Sequence, residues 1–353
     1  MRNSPVVVVF LLAFTSGSAF AQTFPVGASV KLVERDIHIP AHPAPLNAAV
    51  PFRFAGGSQA LILALDAPSG WIQVRGERVG GSEDVGWIVE RYIDGLVADG
   101  PPPVDNLPLE LAWCPEKGSS DPRPGRLRIA TWNLGNLHAV NGQSIFGGQD
   151  PSVKRFTIDY LRIRCYVRLF DPDILAVQEV DGKEALGRVV DTDVYDLHVS
   201  SRTGSGMQNT GFAFKKGLTV VEQPDFEDLD VSNGSLRHGT RIDLTHNGQT
   251  LLLMSVHLKS GCFDNNFNGS ACDKLFTQVP ELEGWIDEQA SGPNPFIVLG
   301  DFNRRFNLMD DVVWTNLDDA VPPNADLTAV TENMPISCRD NQFTEFIDHI
   351  CVW

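Results

Sequence analysis

Hydrophobic positions along the chain change their period twice. Between residues 25 and 94, short runs rich in β-branched and aromatic residues alternate with Gly, Pro and Ser turns. The stretch "QALILALDAPSGWIQVRGERVGGSEDVGWIVERYI" reads as three short strands, with Trp71 and Trp87 each just after a glycine. That spacing predicts a small all-β barrel. Residues 95–125 carry prolines and glycines with no period and read as a linker. From residue 126 onward strands and helices alternate. "RLRIATWNL", "DILAVQEV", "TGFAFKKG", "RIDLTH", "QTLLLMSVHLKS", "PFIVLGDFN" and "FTEFIDHICVW" read as strands. Residues 152–170 place Phe156, Tyr160, Ile163 and Val167 at helical spacing, and residues 273–289 place Leu275, Val279, Leu282 and Ile286 on one side of a helix. Phe296 to Leu299 is apolar at every position, as in a strand buried on both faces. The pattern predicts an α/β (α+β) domain over residues 126–353, a mixed sheet with helices packed on it.

Polar groups interrupt these apolar strands at their ends. Asn133 follows "LRIATW", Glu179 follows "DILAVQ", His257 follows "TLLLMSV", Asp301 and Asn303 follow "PFIVLG", and Asp348 lies in "TEFIDHICVW". Each alone is most simply a turn residue. Five strands that end this way, on one edge of a sheet, would form an acidic pocket with one His. Oxygen-rich sites of that kind suit hard divalent cations such as Mg²⁺.

The opening "MRNSPVVVVFLLAFTSGSAFAQ" pairs an early arginine with an apolar stretch and small residues, which reads as a signal peptide over residues 1–21, cut near Ala21. The apolar stretch is too short to span a bilayer, and no later one is long enough. The expected location is therefore periplasmic or secreted. An oxidising compartment lets cysteines pair. Of six, Cys262 and Cys272 flank the polar loop "CFDNNFNGSAC" and are the expected bridge; Cys114, Cys165, Cys338 and Cys351 leave two more open. Net charge is −17, so binding of a polyanion needs a local basic patch or metal ions.

"IATWNLGN", "AVQEVDG", "SVHLKSG", "VLGDFNRR" and "EFIDHICV" together resemble the successive motifs of the endonuclease/exonuclease/phosphatase superfamily, the DNase I-like fold. The resemblance implies a two-sheet sandwich with its site at one edge. It implies that Glu179 binds a catalytic Mg²⁺ or Mn²⁺, with Asn133 on the metal or the phosphate. It implies that Asp301 orients or deprotonates the attacking water, that Asn303 donates to the phosphoryl group and that His257 stabilises its charge. Arg304, Arg305 and Lys259 are the residues expected to contact substrate phosphate. In the family a strand like "FIDHIC" supplies an Asp, here Asp348, that orients a His in a final Ser-Asp-His motif. No such motif follows here, so the resemblance implies a C-terminally truncated chain. His349 is a poor substitute, since side chains alternate along a strand and it would face away from Asp348. Ahead of this, "GWIQV" and "GWIVERYI" resemble bacterial SH3-like domains, whose ligands are cell-wall peptides or other proteins.

Superfamily fold alone does not select a substrate. Export argues against chromosomal repair, the inositol phosphatases' Trp-Cys-Asp-Arg motif is absent, and no membrane-inserting aromatic hairpin is evident. The expected function is a secreted, metal-dependent endonuclease on DNA. The alternatives are a phosphoesterase on lipid or another non-nucleic diester, and a non-catalytic envelope-binding protein.

Overall fold

The computed structural model describes residues 125–353 except 141, 147–153, 156, 203–206, 266, 308–309, 324–325, 332–333 and 335–344; before residue 125 it describes 8–11, 29–32, 39–41, 52–55, 59–66, 71–79, 82–89 and 93–96. The chain forms two compact units, residues 1–18, 115–154 and 164–353 in one, and residues 19–114 with 155–163 in the other. Nearly all of the expected linker, and the expected signal peptide apart from β1 (Val8–Leu11), lie outside the described residues.

In the smaller unit the described strands are β2 (Ser29–Leu32), β3 (Ile39–Ala41), β4 (Phe52–Phe54), β5 (Gln59–Asp66), β6 (Trp71–Glu77), β7 (Glu83–Val89) and β8 (Ile93–Leu96). They form an antiparallel sheet in the order β7-β6-β5-β2-β8, with β3 and β4 paired separately. The three strands expected from the sequence are β5, β6 and β7, joined as a meander. Period-two alternation is visible in β6, where Ile72 and Val74 are buried while Gln73 and Arg75 are not.

In the larger unit, with the first half of α1 counted in the smaller one, chain order runs β9 (Arg128–Leu137), α1 (Thr157–Phe170), β10 (Ile174–Val180), α2 (Lys183–Gly187), β11 (Tyr195–Val199) and β12 (Asn209–Lys215). It continues through β13 (Thr219–Phe226), β14 (Gly239–His246), β15 (Gln249–His257), α3 (Ser270–Ala290), β16 (Phe296–Asp301), α4 (Val312–Leu317), β17 (Thr328–Ala329) and β18 (Asp348–Val352). The first sheet is ordered β1-β9-β10-β12-β11 and the second β13-β14-β15-β16-β18-β17. The pairs β9–β10 and β15–β16 are parallel, so each central pair ends on the same edge.

Two apolar layers hold this unit together. Ile129, Ile174, Ala176 and Phe212 of the first sheet meet Ile242, Leu253, Ile297 and Leu299 of the second in an apolar core between the sheets. On the outer face of the second sheet, Met254, Val256, Phe296 and Val298 pack against Leu275, Val279, Leu282 and Ile286 of α3. Alternate residues of β16 thus face opposite layers, which is why that strand is apolar throughout. The helical stripe expected on residues 273–289 is the buried face of α3. Strands β11 and β13 were not evident in the sequence: β13, "TVVEQPDF", is half-exposed with polar residues and a proline, as suits an edge.

The disulfide joins Cys262 to Cys272, as expected. Cys165 is also bonded, but Cys351 is a free thiol in the core, so the two further bridges left open do not both form.

Candidate active site

The inner face of the sandwich changes character toward one edge. Beyond the apolar core lies a polar layer of Thr131, Gln178 and Ser255, all buried. The Gln178 amide donates to Thr131 Oγ1 at 3.0 Å and to Ser255 Oγ at 3.1 Å, and Ser255 Oγ donates to the Val177 carbonyl at 3.2 Å. This layer links the two sheets with satisfied hydrogen bonds. One step further out, Asn133 and Glu179 from the first sheet meet His257 and Asp301 from the second.

Alternation alone would aim Glu179 away from this site, because its neighbour Gln178 already points inward. The register of β10 shifts between Gln178 and Val180, and Glu179 adopts φ 60°, which turns its carboxylate back toward the edge. Asn303 likewise sits at φ 53°, a conformation that Asn tolerates better than most residues. Gly300, one residue before Asp301, has φ 143°, and a Cβ built there would lie 2.1 Å from the Val256 carbonyl oxygen. The glycine that ends the apolar run therefore permits the close approach of β15 and β16 that brings His257 opposite Asp301. Gly300→Ala is expected to cost about 3 kcal/mol or more, from backbone strain and overpacking. Urea titration checks this, and a cost within error of zero would show that the two strands can part.

The groups converge closely. Asn133 Nδ2 donates to Glu179 Oε1 at 3.1 Å and to Asp301 Oδ2 at 2.8 Å. The Asn136 amide donates to Glu179 Oε2 at 2.9 Å, and the Asn303 amide to Asp301 Oδ1 at 2.8 Å. His257 Nε2 lies 3.7 Å from Glu179 Oε1 and 3.6 Å from Asp301 Oδ2. One ligand atom each from Glu179, His257 and Asp301 falls within 4.8 Å of the others, a spacing that a divalent cation could bridge. The donor set of two carboxylates and one imidazole fits such an ion.

Electrostatics agree. Burial raises the Asp301 pKa to about 7; its bonds from Asn133 and Asn303 oppose this, and the Glu179 charge adds to it. Asp348, paired opposite Asp301 across β16 and β18, is held well above the usual carboxylate range by burial and by the charges of Asp301 and Glu179. Burial holds His257 well below its usual value, helped by Arg237 and Lys259, so its imidazole is neutral. Two carboxylates that resist ionisation in a buried pocket are a site short of positive charge, which a cation would supply.

Of the expected residues, Glu179, His257, Asp301, Asn303, Asp348 and Asn133 are brought together. Asn133 lies between the two carboxylates: its amide nitrogen donates to both while its oxygen accepts the Gly135 amide at 2.9 Å, an arrangement that orients Glu179 and Asp301. His349 faces the other way, its ring between Thr331 Oγ1 at 2.6 Å and the Arg304 carbonyl at 2.7 Å, as alternation implied. Arg304 is corrected outright. It is fully buried, with its Nε on Asp311 at 2.7 Å, and cannot reach a substrate phosphate. Arg305 keeps its Nε buried, while its backbone amide donates to the Phe263 carbonyl at 3.2 Å. Lys259 is half-buried, and its ammonium donates to the Ser260 carbonyl at 2.6 Å.

One charged residue beside the site escaped the sequence reading. Arg237 is buried and donates to the carbonyls of His257, at 3.1 Å from Nε, and of Leu258. Burial lowers its pKa to about 10, yet it stays charged beside Asp301 and Glu179. Its only signal is a position two residues before β14, the strand that pairs with β15.

Residues 130–353 match the Endonuclease/Exonuclease/phosphatase family. Among solved structures, D. rerio TDP2 humanized by 14 mutations is 20% identical with a TM-score of 0.44, over 64% of this chain and 82% of that one. The human Nocturnin catalytic domain is 15% identical with a TM-score of 0.44, over 64% and 82%. A Bacteroides thetaiotaomicron mannosyl-6-phosphatase is 20% identical with a TM-score of 0.43, over 64% and 84%. Among curated proteins, no sequence matches this one. With the family motifs at the edge of a two-sheet sandwich, the chain belongs to the Endonuclease/Exonuclease/phosphatase family and is a phosphoester hydrolase.

Proposed function

We propose that the protein is an exported phosphodiesterase that cleaves DNA with Mg²⁺ or Mn²⁺ bound between Glu179, Asp301 and His257. The observation that carries the cation-dependent reading is the convergence of these three side chains within 4.8 Å at the edge of the sandwich. A divalent cation there would neutralise charge developing on the phosphoryl oxygens. The chain's own residues do the rest. Asp301, ionised beside the cation, would accept a proton from the attacking water. Asn133 holds the carboxylates of Glu179 and Asp301 in place. Asn303 donates one amide hydrogen to the Leu258 carbonyl at 3.1 Å and leaves the other for a phosphoryl oxygen. His257, neutral, would offer the lone pair of Nε2, which faces both carboxylates, to the cation.

The choice of DNA rests on the leader-like opening and on the local cation Lys259, set in a chain of net charge −17. A lipid diester is the second reading, favoured by Phe267, which is 47% exposed on the loop bridged by the disulfide. Ligand capture by the small β unit, whether a wall peptide or a protein, would localise the enzyme at the envelope. Plasmid nicking with Mg²⁺ or Mn²⁺, beside an EDTA control, bis(p-nitrophenyl) phosphate and sphingomyelin vesicles, tests the set. Cation-dependent nicking supports DNA; hydrolysis of vesicles with intact plasmid replaces it with the lipid reading. Inertness toward every ester overturns the assignment of these side chains to catalysis.

A further inference from the structure

We propose that Arg304 is a positioning residue, which clamps the Asp301–Asn303 turn from behind and is anchored by the loop that the Cys262–Cys272 disulfide closes. Arg304 is among the largest fully buried side chains of the described residues. Its guanidinium gathers segments distant in sequence: Nε donates to Asp311 Oδ2 at 2.7 Å, one terminal nitrogen to the Cys262 carbonyl at 3.1 Å and to the Asp264 carbonyl, and the other to Asn265 Oδ1 at 2.6 Å. The ring of Phe267 lies 5.7 Å away. Asp311 is fully used as well, since its second oxygen accepts the amides of Val313 at 3.1 Å and Trp314 at 3.0 Å at the start of α4.

The arrangement explains how a left-handed Asn303 is held. Its amide is tied to Asp301 Oδ1 and its side chain to the Leu258 carbonyl, while the Leu258 amide donates to the Asp301 carbonyl at 2.9 Å. The next residue fixes the far side of the turn twice, by its buried side chain and by its carbonyl against His349 Nε2. The carbonyls that Arg304 grips belong to a loop whose ends are joined to each other across 10 residues. A buried ion pair contributes little net stability on average, so its use here is to specify one geometry. Displacing a catalytic group by about 1 Å can cost on the order of a hundredfold in rate.

This rests on the reading that Asp301 and Asn303 act on a phosphoester. The test uses the full chain with two variants, Arg304→Lys and the double change Cys262→Ala/Cys272→Ala. Hydrogen exchange is followed at the amides of Leu258 and Asn303, with β9 amides as control, beside kcat and KM for bis(p-nitrophenyl) phosphate. In both variants we expect exchange at the two amides to rise about tenfold or more with β9 unchanged. The kcat should fall about tenfold to a hundredfold with KM within about twofold. Unchanged exchange at both amides, faster exchange with kcat retained, or acceleration spread equally over β9 overturns the proposal. If the parent protein hydrolyses no phosphoester, the functional reading fails, and the amide pattern still decides whether Arg304 holds the turn.

Discussion

Asp301→Asn is expected to lower kcat on a phosphodiester by about 10²- to 10⁴-fold, the range that a positioned general base contributes. The substitution keeps the shape and the acceptor for the Asn303 amide at 2.8 Å, so the turn should survive. It removes the proton acceptor proposed for the attacking water and, with it, one of the three carboxylate or imidazole groups that would hold the cation. The same group predicts a stability effect with a definite sign. Because burial raises the folded pKa of Asp301 above its ordinary value of 3.8, the native state holds a proton that the unfolded chain releases between about pH 4 and pH 7. Its contribution is therefore fully present below pH 4 and is lost as pH rises to about 7. In cation-free buffer, the parent's melting temperature should fall relative to that of Asp301→Asn across this window and run parallel above it. Asp348 is raised in part by the Asp301 charge, so the difference between the two proteins reports this carboxylate pair. A flat difference across the window would show that the carboxylate is ionised throughout.

Glu179→Gln should abolish stabilisation by divalent cations while leaving the apo fold in place. A ligand at about a hundredfold above its dissociation constant stabilises a protein by about 2.7 kcal/mol, and the variant should lose nearly all of that increment. Glu179 is the member of the triad whose two oxygens are held by Asn133 at 3.1 Å and by the Asn136 amide at 2.9 Å, so it is already oriented. An amide there lacks the charge and turns a donor toward Asn133, itself a donor. Melting curves with and without Mg²⁺ decide it: a cation shift equal to the parent's would place the ion elsewhere.

Much of this was legible because each site residue interrupts or flanks an apolar run. Asn133, Glu179, His257, Asp301 and Asp348 all announce themselves by polarity where burial would continue. Alternation also told correctly that His349 turns from the site once Asp348 faces it. Arg304 misled for a physical reason. A charged residue after a buried strand normally meets solvent, and its partner Asp311 arrives only after a turn that no periodicity reveals. Arg237 was missed for the opposite reason: it precedes an ordinary strand, and its value depends on β14 lying beside β15. The backbone turn at Glu179 was equally invisible, since "AVQEV" reads as an unbroken strand. Strand pairing and local backbone conformation, not residue type, carry these parts of the site.

The proposed catalytic groups are divided between two sheets, with Thr131, Gln178 and Ser255 as the polar seam beneath them. The aperture of the site is thus the spacing of the sandwich itself. A widening of roughly half an ångström leaves every strand paired but spoils a constellation that tolerates no more than that. Such an enzyme has a narrower thermal range than its own scaffold, and warming should silence it while it still looks folded. The extra margin would come from tightening that seam rather than from enlarging either apolar layer.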